Sequence, residues 1–380
     1  MKIGIVCYPT FGGSGVVATE LGIALSHLGH EIHFITYKQP VRLSGLNQNV
    51  HFHEVFVPKY PLFHYQPYEL ALSSKLVDMV KLHEIELLHV HYAIPHAYAA
   101  YMAKQMLAAE NIHIPIVTTL HGTDITLVGN HPFYKPAVEF SINHSDVVTC
   151  VSQSLKEDTH KLFSINKNIE VIPNFIDVNN HRSQFSDCDR GSIASKNELI
   201  ITHVSNFRPV KRVGDVIQIF YRIQQSLSAK LMMIGDGPDR AYAEDFCQKL
   251  GITDQVIFFG NSNEVNRVLC FSDLFLLPSE TESFGLAALE AMLSETPVIA
   301  SNQGGIPEVV EHGVSGYLAP VGDVDTMSQY ALKILSNEAE LKQFKTNALK
   351  AAQKFDIDQV VPFYEAAYKK AIQQISQSGR

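Results

Sequence analysis

Lys2-Ile3-Gly4-Ile5-Val6-Cys7, followed by Phe11-Gly12-Gly13-Ser14-Gly15, opens the chain and decides how the rest is read. The first stretch is a short apolar run of the kind that forms a parallel strand buried on both faces. The second is a flexible glycine loop. Residues 16–28 then set Leu21, Ala24, Leu25 and Leu28 at helical spacing, and residues 31–36 form a second strand. The rhythm continues with strands at 87–90, 114–119 and 146–151 and helices at 95–107 and from Ser152. Strands alternating with helices in this way predict a parallel sheet covered on both faces.

The rhythm breaks at Val171-Ile172-Pro173-Asn174-Phe175-Ile176-Asp177 and a polar stretch, 178–198, then resumes with short apolar strands at 199–204, 230–234, 256–259, 274–277 and 297–300. The expectation is two doubly wound α/β domains, 1–172 and 173–358. Residues 359–376 form an amphipathic helix with no strand after it. Its apolar positions Val360, Val361, Phe363, Tyr364, Ala367 and Tyr368 need a surface to bury against.

The chain has 380 residues, enough for roughly two to three domains of about 150 each. With 46% hydrophobic and 18% charged residues it has the balance of an ordinary globular protein. A net charge of −9 argues against a general nucleic-acid binder. Against that acidic background, Arg208, Lys211 and Arg212 read as a small anion site. The five cysteines are scattered without a C-x-x-C pair, so neither a disulfide framework nor a cysteine zinc site is expected, and a reducing, cytoplasmic location fits. Pro9 and the glycines interrupt the N-terminal apolar run before a secretory core forms, and no apolar stretch has the length of a membrane span.

In open parallel sheets ligands bind at the carboxyl ends of the strands. The Gly12–Gly15 loop lies at the first such end, where bare amides can meet an anion, although the same loop serves equally as a plain strand–helix turn. In the second half, Glu282-Ser283-Phe284-Gly285-Leu286-Ala287-Ala288-Leu289-Glu290 follows a buried strand. Ser283 reads as the N-cap of a helix starting at Phe284, which turns the amides of Phe284, Gly285 and Leu286 toward a phosphate. Glu282 then stands just before the helix and Glu290 about two turns inside it. Ser205-Asn206-Phe207-Arg208-Pro209-Val210-Lys211-Arg212 ends another strand with cations that can neutralise a diphosphate.

These residues resemble the retaining glycosyltransferases of family four, whose fold is GT-B. The E-x₇-E pair Glu282 and Glu290, the glycine loop, Gly235-Asp236-Gly237-Pro238 and Gly304-Gly305-Ile306-Pro307-Glu308 carry the likeness over nearly the whole chain. Within that family, Cys7-Tyr8-Pro9, residues 89–96 (His-Val-His-Tyr-Ala-Ile-Pro-His), Leu120-His121-Gly122-Thr123-Asp124 and Asn206-Phe207-Arg208 are similar to the branch that moves N-acetylglucosamine from UDP to L-malate, the first step of bacillithiol biosynthesis. The resemblance implies two Rossmann-like domains facing across a cleft, with a hinge near Pro173 and Asn174 and the last helix packed back on the first domain. It implies a catalytic set of His121, Lys211 and Glu282. Gly15, Asn206, Lys211, Ser283, Phe284, Gly285, Leu286 and Glu290 would hold the donor, and Ser14, Tyr92, Thr119 and His121 the acceptor. Many relatives carry Arg where this chain has Asn206, but the malate-type branch shares the Asn. No cofactor and no metal are expected, and the partners are UDP-N-acetylglucosamine and L-malate, with no nucleic acid and no membrane. A homo-oligomer is left open.

Other readings are weaker. His51-x-His53 and His89-x-His91 each place two imidazoles on one face of a strand, but no H-E-x-x-H occurs, so metal binding is not expected. No G-x-S-x-G elbow supports a hydrolase. The same fold could serve another small acceptor, a UDP-N-acetylglucosamine epimerase, or a non-catalytic nucleotide-sugar binder. Arg42, Lys38 and Lys59 are only loose candidates for the acceptor carboxylates.

Overall fold

The computed structural model describes residues 1–10, 13–43, 47–59, 61–62, 64–183, 190–195, 197–260 and 265–378. The chain divides into two units, Met1–Phe175 with Ile357–Arg380, and Ile176–Asp356.

In the first unit seven strands run parallel: β1 (Lys2–Val6), β2 (Glu31–Thr36), β3 (Val50–Glu54), β4 (Leu87–His91), β5 (Ile116–Leu120), β6 (Val147–Cys150) and β7 (Ile169–Val171), in the order β3-β2-β1-β4-β5-β6-β7. The second unit holds β8 (Leu199–Val204), β9 (Ala229–Ile234), β10 (Val256–Gly260), β11 (Leu274–Leu277), β12 (Val298–Ser301) and β13 (Gly316–Ala319), ordered β10-β9-β8-β11-β12-β13 and again all parallel. Both are doubly wound sheets. Their central strands are buried along their whole length because helices cover both faces, which is why they read as continuous apolar runs. The strand order reverses between β1 and β4 in one sheet and between β8 and β11 in the other. Such switch points leave a crevice at the carboxyl ends of the strands.

The strand rhythm read from the sequence passes over β3, whose residues are only partly buried, and also β7 and β13. Strand β7 is three residues long and β13 begins at a glycine, so neither carries an apolar run that stands out. The first helix begins earlier than expected, at Gly13, so Gly13, Ser14 and Gly15 form its first turn rather than a loop, and Gly12 lies outside the described residues. The last helix spans Ile357–Ser378 and belongs to the first unit, packing against β5, β6 and the Gly13–His27 helix. It buries Val360, Val361, Tyr364, Ala367, Tyr368 and Ala371, whereas Phe363 is 58% exposed and does not take part in that face.

Among the described residues no helix is long and apolar enough to cross a membrane. Cys7, Cys150 and Cys247 are free and buried, but Cys270 is disulfide-bonded, which corrects the all-thiol reading at that residue.

Candidate active site

At the first unit's switch point, three loops bring together side chains far apart in sequence. Ser14, in the first helical turn after β1, has its Oγ 2.6 Å from the Tyr92 hydroxyl. Tyr92 follows β4 directly with φ 86°, ψ 137°, a backbone conformation that a bulky residue adopts only when its surroundings impose it. Its amide is held by the Thr119 carbonyl at 2.9 Å. Its ring stands 5.1 Å from the His121 ring and 5.2 Å from Tyr8. Ser14, Tyr92 and His121 therefore form one cluster.

Thr119 is placed differently from its expected role. It is fully buried, and its hydroxyl lies 2.8 Å from His89 Nε2 and 2.7 Å from Thr149 Oγ1. It reaches the cluster only through the carbonyl that holds Tyr92. On the same side of the sheet, the Tyr368 hydroxyl on the last helix lies 2.8 Å from His89 Nδ1.

Sequence reasoning assigned no role to Asp124, and gave His91 no partner beyond its place beside Tyr92 at a strand end. Asp124 is buried and accepts backbone amides from His121 at 3.3 Å, Gly122 at 3.0 Å and Ala93 at 2.8 Å, so one carboxylate fixes the loops after β4 and β5. Burial raises its pKa to about 6, with the amide hydrogen bonds opposing the rise. His91 Nδ1 sits 2.8 Å from His121 Nε2. Burial lowers His121 and His89 to about 3, so both imidazoles are neutral at pH 7. A neutral His121 can exchange hydrogen bonds with a sugar or an acceptor hydroxyl without adding charge. The signal for Asp124 was present in Leu120-His121-Gly122-Thr123-Asp124, since an Asp just after a strand can accept nearby amides. The contact of His91 with His121 emerges only when β4 and β5 are paired.

At the second unit's switch point, Lys211 ends a short turn after β8 and Glu282 follows β11. Lys211 Nζ lies 2.5 Å from Glu282 Oε1, and the buried Ser279 donates to the same oxygen at 3.0 Å. Arg212 is neutralised by Asp215 at 2.6 Å and Glu280 at 3.1 Å. The basic cluster expected from the sequence is thus mostly paired within the protein. Arg208 is exposed and has no ion pair among the described residues, and Asn206 is exposed beside it.

The helix after Glu282 starts later than expected. It spans Leu286–Leu293, and its N-cap is Gly285 in a left-handed conformation (φ 94°), not Ser283. Glycine reaches that conformation without the steric cost of a Cβ. The amides lacking an acceptor one turn back therefore begin at Leu286, not at Phe284. Phe284 instead buries its ring edge-on against Phe355, with centroids 5.5 Å apart. Glu290 lies little more than one turn into the helix and is half-buried. Gly304 and Gly305 let a second loop approach this one: a Cβ on Gly305 would stand 2.3 Å from the Ser283 carbonyl, and the Gly305 amide donates to the Glu282 carbonyl at 2.8 Å. The Gly-Gly-Ile-Pro-Glu stretch is thus a backing for the Glu282 loop.

A second group of histidines lies on β2, β3 and the Tyr68–His83 helix. The structure places His33, His53 and His83 together, and Glu31 and His51 beside His33. The carboxylate of this group is Glu31, from the adjacent strand β2.

Against known proteins, two family models match: Glycosyltransferase Family 4 over residues 11–180 and Glycosyl transferases group 1 over residues 187–351. The chain is 46% identical over 370 residues to the N-acetyl-alpha-D-glucosaminyl L-malate synthase of Bacillus anthracis, covering 97% of this chain and 96% of that one. It is 25% identical to the phosphatidylinositol N-acetylglucosaminyltransferase gpi3 subunit of Schizosaccharomyces pombe, over 89% of this chain and 74% of that one. Among solved structures, the sucrose-phosphate synthase of Thermosynechococcus elongatus superposes with a TM-score of 0.78 at 19% identity, covering 97% and 98% of the two chains. Anabaena HepE in complex with UDP-glucose gives 0.77 at 21% identity over both full chains. Two doubly wound parallel sheets, with polar clusters at their switch points and this similarity over nearly the whole length, identify the chain as a member of the family-four glycosyltransferases of GT-B fold.

Proposed function

We propose that the protein transfers N-acetylglucosamine from UDP-N-acetylglucosamine to the hydroxyl of L-malate, with retention at the anomeric carbon and without a metal ion, in the cytoplasm. The observation that carries this reading is the 46% identity, over 97% of the chain, to a relative named for that product. In this reading the second unit takes the nucleotide. The amides starting at Leu286 and the Lys211 ammonium receive the diphosphate, and Glu290 accepts the ribose hydroxyls. Lys211 must then leave or share Glu282, freeing that carboxylate for a hydroxyl of the donor sugar. Placing cationic and amide donors where leaving-group charge develops is electrostatic catalysis, and it replaces the divalent ion.

The first unit takes the acceptor through Ser14, Tyr92 and His121. Its buried carboxylate, Asp124, is committed to backbone amides and is not free to attack the sugar. This favours attack from the face the diphosphate leaves, with the departing phosphate accepting the acceptor proton. The test is UDP release from UDP-N-acetylglucosamine with and without L-malate. Release only with malate, preserved in EDTA, is the expected result. A change in the sugar without malate, with or without net UDP release, would indicate an epimerase, and release with a different hydroxy acid would reassign the acceptor.

A further inference from the structure

Away from the switch point, β2, β3 and the end of the Tyr68–His83 helix converge on a group of imidazoles that the transfer reaction does not use. His33 on β2 is fully buried and pairs in register with His51 on β3. His51 and His53 lie on the same face as His33, since side chains two apart on a strand share a face. His83 closes the group from the last helical turn, with its ring 4.7 Å from both His33 and His53. One nitrogen from each of His33, His53 and His83 lies within 4.8 Å of the others.

The hydrogen bonds fix how the protons are arranged. Glu31 Oε1 stands 3.0 Å from His33 Nε2, and an ionised carboxylate only accepts, so Nε2 carries the proton. His33 Nδ1 is then a lone pair, and it faces His53 Nε2 at 2.9 Å. A carboxylate holding one ring nitrogen while the other presents its lone pair is the arrangement by which histidine ligands are oriented and made more basic toward a metal. Two imidazole nitrogens on one tetrahedral zinc ion stand about 3.3 Å apart, so His53 needs to move only a few tenths of an ångström while its proton shifts to Nδ1.

We propose that His33, His53 and His83 form a binding site for a divalent transition-metal ion of the zinc class, with Glu31 as the outer partner of His33. Three neutral imidazoles with no thiolate favour Zn²⁺ or Co²⁺ over Mg²⁺ or Ca²⁺, which prefer oxygen ligands. Burial lowers His33 and His53 to about 4, which agrees with their being neutral near pH 7. The ion would tie the edge strand β3 to β2 and to the end of a helix. Its role is structural and separate from the proposed metal-free transfer.

The test uses the untagged full chain, stripped with chelator and titrated with Zn²⁺ by calorimetry and with Co²⁺ by visible absorption. One ion per chain is expected, with cobalt ligand-field bands and a rise in melting temperature. His53→Gln and His83→Gln should each weaken binding at least tenfold and abolish the melting shift. Glu31→Gln should weaken it about tenfold, as loss of an outer-sphere partner does. Circular dichroism identifies any variant that fails to fold, and His83→Gln, at a half-buried helix end, is the variant expected to fold without strain. Absence of stoichiometric binding, or binding unchanged in His83→Gln, would overturn the proposal.

Discussion

The two units share an all-parallel, doubly wound design but hold their polar groups by opposite means. Around its switch point the first unit uses neutral imidazoles and hydroxyls: His89 with Tyr368 and Thr119, His91 with His121, Ser14 with Tyr92. The second uses ion pairs: Lys211 with Glu282, and Arg212 with Asp215 and Glu280. A neutral network can be buried at little electrostatic cost, whereas charges inside a protein need partners. The difference fits the proposed division of labour, in which the second unit meets a diphosphate and the first must position an acceptor hydroxyl without protonating it.

Acidification should break the comparison most strongly. His89, His91 and His96 are fully buried, and burial holds them at about 3, well below the ordinary value, and about 4 respectively. Unfolded imidazoles take up protons near 6.5 that the folded unit refuses, so this stability is fully present above 6.5 and is lost as pH falls toward 4. At pH 5 the loss is on the order of 2 kcal/mol for each fully buried imidazole. Asp124, raised to about 6, works in the opposite direction but is a single group. In the second unit burial lowers His203 to about 4. Asp273 is pushed up by burial but held below its ordinary value overall by Arg190 and Lys345, so its contribution is lost only below about pH 4. Peptide-resolved hydrogen exchange between pH 7 and 5, in chelator, should show the first unit opening ahead of the second. Simultaneous opening would remove the distinction.

The next largest effect is expected at Lys211. Lys211→Ala should lower kcat about 10² to 10³-fold, the usual result of removing one donor to developing charge, with a smaller change in UDP affinity. Normal turnover at saturating substrate would show that the ion pair with Glu282 is structural. Tyr368→Phe sharpens the comparison from the other side, because it strips the partner from a buried imidazole nitrogen. A loss of about 1–3 kcal/mol is expected, confined to the first unit in denaturant unfolding followed by exchange. The smallest effect belongs to Arg222→Ala. Its pair with Asp325 is exposed on both sides, at 39% and 79%, and the melting curve should stay within about 1 kcal/mol of the parent.

The fully buried central strands announced themselves as apolar runs, and the E-x₇-E and Gly-Gly-Ile-Pro-Glu stretches marked the second unit's site. These features are local, because burial on both faces and backbone freedom at glycine act on consecutive residues. What consecutive residues do not specify is which groups meet across a sheet or between loops. Lys211 and Glu282 stand 71 positions apart and become partners because β8 and β11 are neighbours at the switch point. The helix start moved from Phe284 to Leu286 because Gly285, backed by the Gly304–Gly305 loop, turns left-handed, which a capping-residue rule does not anticipate. The family resemblance implied a pocket role for Thr119, yet the face it occupies is set by pairing with β4 and β6 and by the last helix lying over it. Likewise no window of sequence places Glu31, His33, His53 and His83 together. Strand register aligned the first three and the end of a helix supplied the fourth. Local chemistry was legible in the chain, while partnership was decided by topology, since hydrogen bonds and ion pairs depend on distances that only the folded sheet sets.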